Sequence, residues 1–139
     1  MKELFEALLA RLEKGLPMVM VSVIESSGSA PRGPGARMLV DQGGRAFGTV
    51  GGSAVEHQAI LEAAALLWED GCFIREFSLQ NQSAGDLGMV CGGDMKILVQ
   101  HVGPAYAGLC REALAKIASG EPAHLVTELS SGSMRLASG

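Results

Sequence analysis

Three glycine-rich motifs hold the residues best suited to chemistry. The first is Gly28-Ser29-Ala30-Pro31-Arg32-Gly33-Pro34-Gly35-Ala36-Arg37. Glycines let backbone N–H groups approach an anion, Ser29 adds a hydroxyl, and the Arg32 guanidinium is a planar fork that matches phosphate. A proline-stiffened connector with solvated arginines accounts for the same composition equally well. GxxxxGK[ST] is absent, so this is not a P-loop.

The second motif is Gly48-Thr49-Val50-Gly51-Gly52-Ser53-Ala54-Val55-Glu56. It reads as a strand running through glycines into a helix N-terminus, where free N–H groups and the helix dipole favour an anion. Ser53 suits the N-cap and Glu56 its capping-box partner, a structural use that outweighs a catalytic one. The glycine spacing departs from GxGxxG, which leaves a dinucleotide fingerprint weak.

The third is Asp86-Leu87-Gly88-Met89-Val90-Cys91-Gly92-Gly93-Asp94. Cys91 is the one cysteine among loop glycines. Nearby backbone amides lower a thiol's pKa and make it a nucleophile or a soft-metal ligand, and packing under the loop is the bland alternative. Cys72, at a strand start, and Cys110, on an apolar helix face, read as inert packing. His57, His101 and His124 show no ligand spacing and read as structural or solvent-facing. The scattered methionines read as core filler.

The elements that must position these motifs follow from hydrophobic period. Leu4, Phe5, Leu8, Leu9 and Leu12 recur at helical spacing, with Gly15 as the stop. Met18 to Ile24 is short, β-branched and apolar on both faces, which predicts an interior strand. Ser26 to Gly35, with its prolines and glycines, predicts an irregular loop. Arg37 to Asp41 and Arg45 to Val50 flank a hairpin turn at Gln42-Gly43-Gly44. A helix then uses Val55, Ala59, Leu66 and Trp68 and stops at Gly71. Phe73 to Leu79 alternates as a half-buried strand, residues 80–94 form a long loop, and Met95 to Val102 is another strand. Pro104 opens a third helix, lined by Cys110, Ala113, Leu114 and Ile117 and closed by Gly120. His124 to Leu129 and Met134 to Ala137 form a last hairpin. The expected fold is α+β: a mixed β-sheet of several short strands with about three helices in a single domain.

Composition excludes several functions. The 139 residues are 47% apolar and 19% charged, which argues for one folded domain rather than disorder. Aromatics at 4% are too few for a stacking platform on single-stranded nucleic acid. A net charge of -4 disfavours a duplex DNA backbone. Residues 26–55 are the exception: Arg32, Arg37 and Arg45 against Asp41 give +2, which suits a small anion. Three widely spaced cysteines make neither a disulfide framework nor a zinc pair, so a reducing cytoplasm is expected. The charged N-terminus is unlike a signal peptide, and no apolar run is long enough to span a bilayer.

Taken in series, GSAPRGPGARMLV, GTVGGSAVE and DLGMVCGGD resemble the N-terminal domain of the XdhC/CoxI family, the xanthine dehydrogenase accessory factors. The resemblance extends over roughly residues 5–102, and EPAHLVTELSSGSMRLAS resembles the family's continuation into a hairpin. It implies that residues 1–139 form an XdhC/CoxI-like N-terminal domain. The typical dinucleotide-binding-like C-terminal domain is absent from them, as in an excised domain or a short stand-alone member. It also implies a maturation factor rather than an enzyme. Such a factor binds molybdenum cofactor (molybdopterin), assists its sulfuration, and delivers it to a molybdenum hydroxylase such as xanthine dehydrogenase. A cysteine desulfurase is a further candidate partner, and a homo-oligomer is expected. By position, the cofactor-binding candidates are Ser29, Arg32, Gly35 and Arg37, then Gly51, Gly52 and Glu56, then Cys91, Gly92 and Gly93. Cys91 is also the candidate sulfur carrier or molybdenum contact. Ser53 stands where the family usually has a third glycine. Two other readings stay open: a small thiol enzyme using Cys91, and a non-catalytic interaction module.

Overall fold

The computed structural model describes residues 1–28, 34–51, 53–78 and 93–137. Ser29, Arg32, Gly52, Cys91 and Gly92 therefore lie outside the described residues, as does most of the third motif.

Helix α1 spans Lys2–Leu12, followed by strands β1 (Met18–Gly28), β2 (Arg37–Asp41) and β3 (Gly44–Gly48). Helix α2 covers Ser53–Ala63 and continues as a 3-10 turn over Ala64–Leu66. Strands β4 (Cys72–Ser78) and β5 (Gly93–Val102) lead to a 3-10 turn at Pro104–Tyr106, helix α3 (Ala107–Ala118), and the hairpin β6 (His124–Thr127) and β7 (Met134–Ala137). The fold is α+β, with β3-β2-β1-β5-β4 as one antiparallel sheet and β6-β7 apart from it.

β1 is apolar from Met18 to Ile24 except at Ser22, and the cause is simple: both faces of the central strand are covered. Val19, Val21 and Val23 pack with Met38, Val40, Ile97 and Val99 beneath Val55, Ala59 and Ala63 of α2. Met18 and Met20 alternate to the opposite face, with Leu39 and Val102, beneath Phe5, Leu8 and Leu12 of α1 and Cys110 and Ala113 of α3. Two helices thus cover one face and a single helix the other. The small residues Ala59, Ala63, Cys110 and Ala113 at the contact positions bring the helices close to their partners.

The terminal hairpin is fastened onto the second face. Gln100 Nε2 donates to Gly132 O at 2.8 Å, and Met134 N donates to the Tyr106 hydroxyl at 3.1 Å. Gly132 has φ +78°, and a Cβ there would meet Cys72 Cβ at 3.1 Å. Glycine is what lets the hairpin turn lie on the sheet.

Several expectations are corrected. Ser26 to Gly28 are strand rather than loop, because the backbone of β5 continues alongside: Ser26 pairs with Met95, Ser27 with Asp94 and Gly28 with Gly93. The alternation shifts at a bulge between Val23 and Glu25, which hides this extension from a strict two-residue period. Trp68 is not a core position of α2. It lies past the 3-10 turn and is 59% exposed. Strand β6 ends at Thr127, short of Leu129.

Candidate functional site

Antiparallel pairing brings the motif flanks to one end of the sheet. β1 leaves at Gly28 and β2 enters at Arg37, β3 leaves at Gly48, β4 leaves at Ser78 and β5 enters at Gly93. All five termini sit at the same end because each strand runs against its neighbour. The first and third motifs meet through the Gly28–Gly93 pair. The first and second meet through β2 and β3. A Cβ on Gly48 would stand 2.3 Å from Arg37 O, so only a glycine permits this approach.

Two of the motif glycines have their backbone amides engaged within the fold. Gly35 N donates to Val23 O at 2.9 Å, and Gly51 N donates to Thr49 Oγ1 at 3.0 Å. Their role here is conformational: Gly35 has φ +94° and Gly51 φ +128°.

Glu56 serves the architecture. Its carboxylate accepts from the Thr49 hydroxyl and from Val50 N, and its Oε2 lies 3.5 Å from Arg45 Nε. Ser53 is the first residue of α2. Glu56 ties the strand-to-helix turn to β3, which agrees with the structural reading over the catalytic one. Arg45 also donates from Nη1 to Gly48 O at 2.9 Å. That arginine is matched on two sides and is not a spare cation.

Arg37 differs. It sits on the sheet face opposite Glu56, where Nη1 lies 3.4 Å from Ser22 Oγ and 3.9 Å from Met20 Sδ. No carboxylate among the described residues pairs with it. Burial lowers its pKa from the usual arginine value, since desolvation disfavours the charge. A guanidinium stays protonated regardless, so the cost remains until an anion arrives. The sequence-level grouping of Arg37 with Glu56 is thus split: both lie at one sheet end, on opposite faces.

The projecting part of that end is not uniformly positive. Glu25, Glu76 and Asp94 line a small pocket with Ser26, Ser27 and Lys96. Lys96 is 3.2 Å from Glu25, and Ser27 Oγ donates to Asp94 Oδ2 at 3.5 Å. An anion would be repelled here and drawn toward Arg37.

The remaining candidates fall out as expected from packing. His101 is structural: Nδ1 is 2.8 Å from Leu66 O, and Nε2 is 3.4 Å from Asp70 Oδ1. His57 and His124 are exposed. No group of three or more His, Cys, Asp or Glu among the described residues could hold a metal ion. Burial pushes the Cys110 thiol up from 9.0 to about 11, against a smaller opposing pull from Arg111. The native state therefore holds its proton where an unfolded chain releases it. Stability from this group is full below about pH 9 and lost as pH rises toward 11. The stability difference between wild type and Cys110→Ala should narrow across that window in denaturant titrations. Cys110 should also resist alkylation at neutral pH until the protein unfolds, which mass spectrometry of labelled protein reads directly.

Sequence comparison extends these observations. Residues 11–78 match the XdhC and CoxI family. The Escherichia coli (strain K12) protein described as uncharacterized protein YqeB is 33% identical over 87 residues, which are 63% of this chain and 16% of that protein. A crystal structure described as a xanthine dehydrogenase from Bacillus halodurans superposes with a TM-score of 0.78 at 25% identity, over 96% of this chain and 39% of that one. The chain thus spans well under half the length of either relative. Among the described residues, no helix is long and apolar enough to cross a membrane. The matched segment carries the first two glycine motifs and all of β1 to β4, and the solved relative repeats the fold around them: residues 11–78 are a segment of the XdhC and CoxI family.

Proposed function

We propose that this domain holds the phosphate end of molybdenum cofactor during maturation of a molybdenum hydroxylase such as xanthine dehydrogenase. Residues 1–139 would act as the cofactor-holding N-terminal domain of such a factor. The observation that carries the reading is Arg37, a partly buried guanidinium with no described carboxylate, at the sheet end where the flanks of all three glycine motifs gather. Those residues fit an anionic group. A phosphate at Arg37 recovers the desolvation cost of its charge through charge-assisted hydrogen bonds. When bound, the cofactor supplies the molybdenum centre. The chain's own residues bind its phosphate and orient it. Ser29, Arg32, Gly52, Gly92 and Gly93 would complete the cradle, with Gly35 and Gly51 shaping its turns, and Cys91 would stand at its rim as the sulfur carrier. Glu56 supports the cradle by holding the turn before α2.

The test is the affinity of released molybdopterin, followed by its own fluorescence. Losing a charge-assisted contact costs about 1.5–3 kcal/mol, so Arg37→Ala should weaken binding about 10- to 150-fold. Arg135→Ala, on the far hairpin, should bind as wild type. Equal affinity of the Arg37→Ala and wild-type proteins would contradict the proposal.

A further inference from the structure

α2 buries one apolar face in the core and leaves Leu61 outside it. Val55, Ala59, Ala63 and Leu67 fill the core beneath it at four-residue spacing. Leu61 and Trp68 point outward, 58% and 59% exposed, the highest values among the exposed large apolar side chains. Leu61 lies on α2 and Trp68 just past the 3-10 turn. Both line a groove of about 460 Å³ between the helix and the β2–β3 turn. Val40, Ile60, Leu61, Ala64, Leu67 and Trp68 line it.

One carboxylate, Asp41, stands in the wall of this groove, and Glu69 follows Trp68 directly, while Asp70 lies 3.4 Å from His101 Nε2. Among the described residues, no lysine or arginine pairs with Asp41 or Glu69. The arginines of the neighbouring strands are taken: Arg45 by Glu56, and Arg75 by Glu62 at 2.7 Å on the other side of the helix. A second copy seated here about a two-fold axis would set these acids against themselves. A duplex or single-stranded nucleic acid would be repelled. An apolar floor with an exposed tryptophan and a carboxylate in its wall matches a helix that is apolar on one face and basic beside it.

We propose that this groove receives a basic amphipathic helix of a partner protein. The helix would place apolar side chains at i, i+3 or i+4, and i+7 between Leu61 and Trp68, with lysine or arginine facing Asp41 and Glu69. The same helix that forms the groove begins at the second glycine motif. A partner docked here lies within roughly 20–25 Å of Gly51 by helix rise. The inference does not depend on what the glycine motifs bind.

Trp68 is the only tryptophan in the chain, so its emission reports on the groove alone. The experiment titrates the intact chain with two helical peptides that share one leucine face, one with a lysine polar face and one with a glutamate polar face. The lysine peptide should shift Trp68 emission to the blue and saturate. The glutamate peptide should bind at least about tenfold more weakly, a difference of about 1.4 kcal/mol. Leu61→Glu should abolish the shift, and Asp41→Asn should weaken it and flatten its salt dependence. Asp41→Asn carries the test if Leu61→Glu does not fold. Equal response to both peptides, no response, or wild-type response in Asp41→Asn overturns the proposal. So does a concentration-dependent dimer that Leu61→Glu dissociates, since the occupant would then be a second copy.

Discussion

Replacing Gly48 with valine is expected to destabilise the domain by about 2–5 kcal/mol, from left-handed backbone strain plus steric displacement. Gly48 has φ +72°, a region that β-branched residues avoid. An added Cβ would also meet Arg37 O at 2.3 Å and Arg37 C at 3.3 Å. These are backbone atoms of the adjacent strand, so no flexible side chain can give way. The relief open to the chain is to part β3 from β2. That would release the Arg45 contact to Gly48 O and loosen Glu56 from its turn. Urea unfolding should show the loss as a lower midpoint with an unchanged slope. An unchanged midpoint would mean the β2–β3 approach is not as close as described. The same variant should weaken anion binding, because Arg37 moves with its strand.

Phe5→Ala is expected to cost about 3–5 kcal/mol, the range for removing a buried aromatic ring. Phe5 is fully buried in the cluster joining α1, α3 and the sheet. Its neighbours Leu8, Leu12, Met20 and Leu39 belong to three different elements, so collapse into the cavity is restricted. A domain stability of about 5–15 kcal/mol would be cut by a large fraction. The Cys110 thiol, in the same cluster, would become reactive at neutral pH as the helices loosen. A loss below about 1 kcal/mol would show that α1 is not a working part of the core.

The helices were legible because their apolar residues repeat on one face: Leu4, Leu8 and Leu12 for α1, Cys110, Ala113 and Ile117 for α3. The interior position of β1 was legible too, since a strand that is apolar on both faces from Met18 to Ile24, Ser22 excepted, must be covered on both sides. The insertion of β5 between β1 and β4 was not, because pairing between strands some seventy residues apart leaves no local signature. Ser26, Ser27 and Gly28 looked like loop by composition, yet they are strand because Met95, Asp94 and Gly93 offer them partners. At the candidate site, motif composition pointed to anion-friendly glycines, while the described amides of Gly35 and Gly51 are used inside the fold. The division of Arg37 and Glu56 between two faces follows from strand alternation plus the placement of α2, and the latter is a tertiary fact. By sequence alone, Trp68 reads as an apolar position of the second helix, and Leu61 is not singled out. Assigning Trp68 to the core ignored that Val55, Ala59, Ala63 and Leu67 already complete it.

The most direct test follows the NMR signals of the 15N-labelled domain as inorganic phosphate, and then released molybdopterin, are added. The Arg37 Nε–H signal and the amides of Gly35 and Gly93 should move together with one binding constant, while the Trp68 indole signal stays still. Movement confined to Trp68, or an Arg37 signal that ignores both ligands, would contradict an anion site where these strand ends meet.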